Sequence, residues 1–268
     1  MKIVTLIEDT AGNRGCKFEH GLSLYVETAK HRLLFDTGAS ALTISNAQQL
    51  DIDLKSVDTV IISHGHYDHT GGLLAFCQLN DEAKIYMHDQ AGSDYFHGSK
   101  YIGIDKQILR LSKLQLLKDD CYLDDELVIF GHIAGRKMFA ASNLELSKRL
   151  DGHDYQDTFD HEQCLAVFCE NKRILLSGCA HNGILNILDR YHELFGVDPD
   201  IVISGFHLQQ KKEYNEEDLN NIALLAHALL KRNTVYYTGH CTGEVAFSMM
   251  KKIMKDRLVY IHSGDTII

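Results

Sequence analysis

The sequence predicts an α/β protein in which two strand-rich halves pack together, each covered by helices on its outer face. Short apolar runs rich in β-branched and aromatic residues recur in the first and last thirds of the 268 residues. Several of these runs pass through a polar or glycine-containing turn into a helical stretch. Such units gather their turns at one edge of a sheet, so a ligand site is expected at that edge.

The first third is predicted to alternate strands and helices. Apolar runs that stop at turn residues predict strands over residues 2–8, 22–28, 31–38, 57–63 and 83–88. A helix is predicted over residues 41–50, with Ser40 as its N-cap, and another begins near residue 73.

The last third repeats this alternation. Strands are predicted over residues 164–170, 173–178, 200–205, 234–239 and 258–264, and helices over residues 184–195, 216–230 and 244–255. Between the two parts, residues 88–160 are predicted to be an irregular insertion that contains a strand and glycine turn at 126–136. With no linker or low-complexity segment, residues 1–268 are predicted to form a single domain.

The composition restricts the partners of this protein. The formal net charge of −10 disfavours a nucleic-acid partner, and no apolar run is long enough to span a bilayer. The acidic start of the chain does not resemble a signal peptide, and the seven cysteines are scattered without a C-x-x-C pair. We therefore expect a cytoplasmic protein with reduced thiols, a small-molecule substrate and no membrane partner, in an oligomeric state that the sequence leaves open.

The strongest chemical signal is the stretch HGHYDHTGG, residues 64–72, directly after a predicted buried strand. It brings His64, His66, Asp68 and His69 into six residues, a density of imidazole and carboxylate that suits zinc, manganese or iron. The glycines permit the tight backbone path that would bring four side chains together. A solvated polar loop is the alternative, but it gives no reason for three histidines and an aspartate at this place.

These residues resemble the hallmark H-x-H-x-D-H of the metallo-β-lactamase superfamily. Further stretches carry the resemblance along the chain to Gly243, in the order EHGLSLYVE, LLFDTG, SHGHYDHTGGL, SGCAHNGILNIL, SGFHL and GHCTG. As a series they are similar to the branch named for the dihydropterin–ribofuranosylaminobenzene phosphate synthase of methanopterin biosynthesis. The resemblance covers nearly the whole chain except about 88–160, and it is specific for fold and metal site rather than for substrate.

The resemblance implies a four-layer αββα sandwich, the metallo-β-lactamase fold, with two divalent metal ions at the sheet edge. From the chemistry of the donors, the predicted metal is zinc, with iron or manganese as alternatives. One metal would be held by His64, His66 and a later histidine, and the other by Asp68, His69 and the last histidine of the series. The residues predicted as ligands are His64, His66, Asp68, His69, Cys179, His181 and His240.

Cys179 departs from the pattern of the superfamily. Aligning LLSGC with the usual strand that ends in Gly-Asp places Cys179 where a bridging aspartate normally lies, with His181 two residues further on. A thiolate there would shift the preference towards zinc or iron. The alternative is that Cys179 is a small buried apolar residue, which is a common state of free cysteine.

Four other residues are candidates for supporting roles. Asp36 ends a buried strand and either accepts the free N–H of a ligand imidazole or forms a plain turn. His207, with Asp68, is predicted to take part in catalysis: by its family position it would contact substrate or shuttle a proton, unless it is a structural histidine. His20 could line the cleft or lie on the surface. Arg136 is the predicted ligand of an anionic group, against an ordinary surface arginine.

Three function classes follow from such a site. The first is a metal-dependent hydrolase of a small, anionic and phosphorylated substrate, in which two metals about 3.5–4 Å apart activate a bridging hydroxide. The second is a transferase resembling the methanopterin-pathway synthase. The third is a non-catalytic metal-binding or sensor protein on the same fold. Because Asp68, His69 and His240 are all present, a degenerate binding module is disfavoured, and the metallo-hydrolase is preferred with the transferase second.

Overall fold

The computed structural model describes residues 1–268. The strands, in chain order, are β1 (Lys2–Ile7), β2 (Ser23–Glu27), β3 (Arg32–Phe35), β4 (Thr59–Ile61), β5 (Lys84–His88), β6 (Asp94–His97), β7 (Lys100–Tyr101), β8 (Leu114–Leu117), β9 (Cys121–Tyr122), β10 (Leu127–Phe130), β11 (Leu146–Leu150), β12 (His153–Gln156), β13 (Cys164–Cys169), β14 (Lys172–Leu176), β15 (Ile201–Ile203), β16 (Val235–Thr238) and β17 (Leu258–Tyr260). The α-helices are α1 (Leu42–Gln49), α2 (Tyr67–Thr70), α3 (Leu73–Leu79), α4 (Ile184–Phe195), α5 (Glu216–Leu229) and α6 (Glu244–Met254).

Two large mixed sheets form the centre of the fold. The first has the order β1-β2-β3-β4-β5-β8, and the second has the order β17-β16-β15-β14-β13-β10-β9. The run β3-β4-β5-β8 is parallel, as is the run β14-β15-β16-β17. Parallel strands end at the same edge of a sheet, so the turns that follow β4, β14, β15 and β16 can contribute to one site.

The two sheets pack face to face through an apolar layer. Leu24 and Phe35 of the first sheet share one buried cluster with Leu165, Ile174 and Ile203 of the second. Along β13 the side chains alternate, since residues 165, 167 and 169 face this layer while residues 164 and 166 face the opposite side. This period of two is the pattern of a strand buried on both faces.

Helices cover the outer face of each sheet. On the first sheet, α1 and α3 pack their apolar side chains, among them Ala47 and Phe76, into one cluster. On the second sheet, α4, α5 and α6 do the same, with Tyr191, Leu225 and Met250 in another cluster. The layers therefore run helix, sheet, sheet, helix, and the predicted αββα sandwich is confirmed.

Most predicted elements are present with ends shifted by one to three residues. The first helix begins at Leu42 with Ala41 as its N-cap, while the hydroxyl of Ser40 accepts a hydrogen bond from the amide of Leu42 at 3.2 Å. The predicted N-cap is therefore wrong by one position. No helix combines the length and apolar character that a membrane crossing requires.

The segment predicted as irregular is largely ordered. It contributes edge strands to both large sheets and forms a third sheet with the order β12-β11-β6-β7. The strands are short, and β6 pairs with the distant β11, so that Leu146 lies opposite His97. Pairing between such remote and short segments leaves no local periodic pattern, which is why the sequence did not reveal it.

Candidate metal centre

The candidate centre lies where parallel strands of both sheets end. The loop after β4 carries His64, the turn after β14 carries Cys179, and the turns after β15 and β16 carry His207 and His240. Two of these residues have backbone angles that side chains rarely adopt, with φ of 49° at His207 and 47° at His240. Such conformations are maintained only where the surrounding structure enforces them, and they cluster at functional sites.

Three predicted histidine ligands form one group. The ring centroids of His64 and His66 are 4.5 Å apart, and that of His181 lies 4.9 Å from the first and 5.0 Å from the second. The Nδ1 atom of His64 contacts the hydroxyl of Ser63 at 2.8 Å. All three Nε2 atoms are buried and have no hydrogen-bond partner. Two further buried side chains, Asp157 and His161, lie near His66.

Residues of the middle region, which the sequence predicted to be an irregular insertion, hold His181 in place. Its Nδ1 atom lies 2.9 Å from Oδ1 of Asn143, whose amide nitrogen also donates to the His181 carbonyl oxygen at 2.7 Å. The ring of Phe159 stacks on the imidazole with centroids 4.5 Å apart. The carboxylate of buried Glu162 accepts the amide N–H of His181 at 2.7 Å. Together these contacts leave the ring a single orientation.

A second group surrounds the carboxylate of Asp68. Its Oδ2 atom lies 3.5 Å from Nε2 of His69, 3.3 Å from Nε2 of His240 and 3.5 Å from Nε2 of His20. The first two histidines are buried, whereas the side chain of His20 is about half exposed at 52%. The predicted ligands Asp68, His69 and His240 therefore converge, and His20 lies beside them.

Two carboxylates fix the orientation of the histidines in this second group. Oδ2 of buried Asp36 lies 2.7 Å from Nδ1 of His69, as expected of an acceptor behind a ligand imidazole. Oδ1 of Asp9 lies 2.6 Å from Nδ1 of His240, and its Oδ2 lies 2.8 Å from Nδ1 of His20. Burial would raise the pKa of the Asp9 carboxyl, but these two histidines hold it well below its usual range.

Cys179 lies between the two groups. Its sulfur is within 4.8 Å of donor atoms of Asp68, His69 and His240, and also within 4.8 Å of donor atoms of His64 and His181. The distance from Sγ to Nε2 of His69 is 3.3 Å. Burial raises the pKa of this thiol, so it binds a cation only by giving up its proton.

The electrostatics of the two groups differ. Burial depresses the pKa of His66 to about 3 and lowers those of His64 and His181 well below their usual value, so these rings are neutral donors. Burial also acts to lower the pKa of His69, but the carboxylates of Asp36 and Asp68 outweigh it and raise the pKa to about 9. A cation in the second group would therefore replace a proton.

The residues present fit divalent cations. Buried and unpartnered Nε2 atoms are found on His64, His66, His181 and His240, and each unsatisfied buried donor or acceptor costs about 1–3 kcal/mol. Neutral imidazole, carboxylate and thiol are together the donors that zinc and other borderline cations accept. A cation beside the first group would satisfy three nitrogens that the protein leaves without a partner. In the second group it would satisfy Nε2 of His240, which has only the ion-pair contact with Asp68.

A cavity of about 450 Å³ opens above these groups, and the candidate donors Asp68, His181 and Cys179 are part of its wall. Lys100, Lys211 and Lys212 also line it. This positive rim contrasts with the net charge of −10 on the whole chain. A volume of this size suits a small-molecule ligand, and the lysines favour an anionic one.

Of the predicted supporting residues, His20 and His207 line this cavity and Arg136 does not. The guanidinium of Arg136 instead donates to the carbonyl oxygens of Gly135 at 2.8 Å and Thr158 at 3.3 Å, and to Oδ1 of Asn182 at 3.2 Å. The cations that line the cavity are instead Lys100, Lys211 and Lys212, which belong to no motif of the sequence. The predicted roles of Arg136, His20 and His207 stay predictions.

Sequence reasoning also missed Asp9 and Asn143. The acidic pair Glu8-Asp9 directly follows the first strand, at the edge where the other donors gather, and that position was a usable signal. Asn143 lies in a short 3₁₀ helix of the middle region, Ala141–Glu145, without any motif, and only the fold brings it to His181.

Comparison with known proteins agrees with this geometry. A family model described as the metallo-β-lactamase superfamily matches residues 17–217. The 7,8-dihydropterin-6-methyl-4-(β-D-ribofuranosyl)-aminobenzene-5′-phosphate synthase of Methanocaldococcus jannaschii is 31% identical over 287 residues, covering 100% of this chain and 96% of that protein. An uncharacterized protein of the same organism is 26% identical over 271 residues, covering 99% of both chains.

Among solved structures, a metal-dependent hydrolase of the β-lactamase superfamily shares 27% sequence identity with this chain. The superposition covers 100% of this chain and 98% of the other, with a TM-score of 0.85. The similarity therefore extends over the middle region as well as over the two large sheets.

Proposed function

This chain belongs to the metallo-β-lactamase superfamily, and on that premise we propose that it is a metal-dependent hydrolase of a small anionic substrate. The observation that carries the proposal is the convergence of unpartnered imidazole nitrogens, Asp68 and Cys179 in the wall of an open cavity with a lysine rim. Metal sites that do chemistry keep a coordination position open to water or substrate, and an adjoining cavity provides it.

Two divalent cations, with zinc preferred over iron or manganese, are proposed to occupy the two groups. His64, His66 and His181 would hold one, Asp68, His69 and His240 the other, and Cys179 would lie between them. Bound there, the cations would supply Lewis acidity and lower the pKa of a water molecule to near neutrality.

The protein's own part is to hold the donors in place. Asp36, Asp9 and Asn143 contact the Nδ1 atoms of His69, His240 and His181, so each ring would present its Nε2 atom to a cation. Asp68 is the carboxylate of the second group and would stabilise positive charge there. His20, half exposed and hydrogen-bonded to Asp9, lines the cavity with its Nε2 atom 3.5 Å from Oδ2 of Asp68.

The lysine rim supports an anionic substrate. Nζ of Lys100 donates to the hydroxyl of Tyr67 at 3.2 Å and lies 4.6 Å from the centre of its ring. Lys212 lies 3.8 Å from the carboxylate of Glu145, which His97 also contacts at 2.8 Å. One acidic group thus offsets part of the positive charge, and a phosphate or carboxylate on the substrate would offset the rest.

A synthase is the second candidate, because the full-length relative at 31% identity has that name. In this alternative the same cations and lysines would hold a phosphorylated substrate while a bond forms between two organic molecules. The cavity geometry is compatible with both reactions, since each needs an anion site beside a Lewis acid.

The proposal is tested with zinc-reconstituted protein and a panel of phosphomonoester, phosphodiester, thioester and lactone probes. We expect about two metals per chain and turnover of at least one probe class, which disappears in His66→Ala. Less than one metal per chain would remove the two-metal model. A protein that hydrolyses none of the probes but binds pterin or ribosyl-phosphate ligands would replace the hydrolase with the synthase.

The anion site is tested separately with 4-nitrophenyl phosphate and the neutral 4-nitrophenyl acetate. Replacing both Lys100 and Lys211 with alanine should raise KM for the phosphate about tenfold or more, since a hydrogen bond to a charged group contributes about 1.5–3 kcal/mol. The neutral ester should be unaffected. A Lys55→Ala, Lys231→Ala protein, altered at two exposed lysines that do not line the cavity, is the matched control.

A further inference from the structure

A second buried thiol lies beside the candidate centre. Cys241 directly follows His240 in the turn after β16. Its sulfur is within 4.8 Å of the sulfur of Cys179 and of a ring nitrogen of His207. Two thiols and an imidazole therefore lie close together. The proposed hydrolysis uses neither Cys241 nor this cluster of three side chains.

The backbone around Cys241 is shaped to accommodate its sulfur. A Cβ atom on Gly205 would lie 2.4 Å from Sγ of Cys241, so this sulfur occupies space that only glycine leaves open. The amide of Gly205 donates to the carbonyl oxygen of Gly178 at 2.8 Å, which fixes the backbone below the sulfur. The position of the thiol is therefore determined by the turn after β15.

The ring of His207 lies beside the two thiols, and the backbone of this residue has an unusual conformation. With φ at 49°, its carbonyl oxygen accepts the hydroxyl of Ser142 at 2.8 Å, and its ring lies 4.1 Å from that of His181. The Nδ1 atom is buried and has no hydrogen-bond partner. This unpartnered nitrogen is an observation independent of the two thiols, and a cation would satisfy it.

We propose that Cys179, His207 and Cys241 form a soft-cation subsite that shares Cys179 with the histidine and carboxylate groups. Two sulfurs and one nitrogen select zinc or a more thiophilic cation over manganese or magnesium, which prefer oxygen donors. On binding, the thiols release their protons to solvent and bind as thiolates. His207 then acts as a metal ligand rather than as a contact of the substrate.

The competing explanation is that Cys241 is a small buried apolar residue without contact to metal, as many free cysteines are. The two explanations differ in the number of sulfur atoms bound to the cation. They do not differ in the reaction catalysed, so the proposal holds for a hydrolase and for a synthase alike.

Cobalt-loaded protein distinguishes the two explanations, because thiolate ligands give an intense sulfur-to-cobalt charge-transfer absorption. Cys241→Ser should lose a large part of this absorption, and the double variant Cys179→Ser, Cys241→Ser all of it. Cys77→Ser, altered at a half-buried cysteine of α3, is the matched control and should match the wild type. An unchanged spectrum for Cys241→Ser would overturn the proposal.

Two further measurements apply if a cysteine variant does not fold. X-ray absorption at the cadmium edge of unmodified protein loaded with one equivalent of cadmium should show two sulfur ligands, and one or none contradicts the subsite. His207→Gln should weaken zinc binding at least about tenfold in competition with a chelator. If sulfur binds the cation but no probe is turned over, only the proposed hydrolase is contradicted. If a probe is turned over but Cys241 does not bind the cation, only this subsite is contradicted.

Discussion

Asp36 accepts three hydrogen bonds at once. Its Oδ1 atom accepts the amide N–H of Ser63, and its Oδ2 atom lies 2.7 Å from both the hydroxyl of Ser63 and Nδ1 of His69. Since Ser63 in turn contacts Nδ1 of His64, one carboxylate orients a histidine in each group. At the residue scale, the geometry of the centre thus depends on side chains that would not touch the metals.

Asp36→Asn tests this dependence. The amide cannot accept from Ser63 and His69 with the same strength, so we expect zinc affinity to fall about 10–100-fold, as for other groups that orient metal ligands. The affinity is measured by competition with a chromophoric chelator. Asp81→Asn, in an exposed turn, is the control. Equal affinity in both variants would show that Asp36 only closes a turn.

Asn143→Ala tests the corresponding support of His181. Without the amide, the Nδ1 atom and the carbonyl oxygen of His181 both lose their partner, and the ring can turn away from the first group. We expect a loss of metal affinity of about 10–100-fold for this variant and none for the exposed Asn220→Ala. If metal content and affinity stay at the wild-type level, Phe159 and Glu162 suffice to hold the ring.

At the scale of elements, the centre is an assembly of turns held against each other by close backbone contacts. Gly65, between the first two histidines of the motif, passes so close to the turn after β5 that a Cβ atom would lie 2.3 Å from the carbonyl oxygen of Ala91. The amide of Gly65 donates to Nδ1 of His161 at 3.0 Å. The motif loop is therefore locked between the first sheet and the segment before β13.

Gly65→Ala should break this packing. A methyl group that meets backbone forces the loop to move, and overpacking of this kind costs about 1–3 kcal/mol. We expect the free energy of unfolding in urea to fall by that amount and metal content to drop. Gly131→Ala is the control, because the nearest atom to its Cβ would lie 3.4 Å away, in ordinary contact. Similar stability of the two variants would refute the argument.

The third sheet positions the middle region beside the candidate centre. Tyr95 of β6 and Leu146 of β11 pack in a small apolar cluster with Phe159, the residue that stacks on His181. The same region supplies Asn143 and Lys100, which reach the centre and the cavity rim. An element without a recognisable sequence pattern therefore supports His181 and forms part of the cavity rim.

At the scale of the whole molecule, burying neutral histidines makes the metal-free protein sensitive to acid. Burial, followed by the neighbouring His161, depresses the pKa of His66 from 6.5 to about 3 in the folded state. Below pH 6.5 the unfolded chain takes up a proton at this residue that the folded protein does not. Stability is therefore lost as the pH falls from 6.5 towards 3, and is unaffected by this group above 6.5.

His66→Gln should remove this contribution. For metal-free protein, we expect the free energy of unfolding to fall less steeply with acid than in the wild type, by up to about 1.4 kcal/mol per pH unit. Urea unfolding between pH 7 and 5 measures the slope. His227→Gln, on the exposed side of α5, should retain the wild-type slope. Parallel profiles for all three proteins would contradict the burial of a neutral ring.

The sequence by itself determined the layers, the strand-to-helix turns and the donor motifs, because these depend on local periodicity and on donors close together in the chain. His64 and Asp68 are four residues apart, and a glycine turn after an apolar strand is recognisable wherever it occurs. Only the tertiary structure decided that Asp9 and Asn143 support the histidines, that lysines rather than Arg136 line the cavity, and that Cys241 meets Cys179. Those contacts join residues far apart in sequence, and chain folding alone sets their distances.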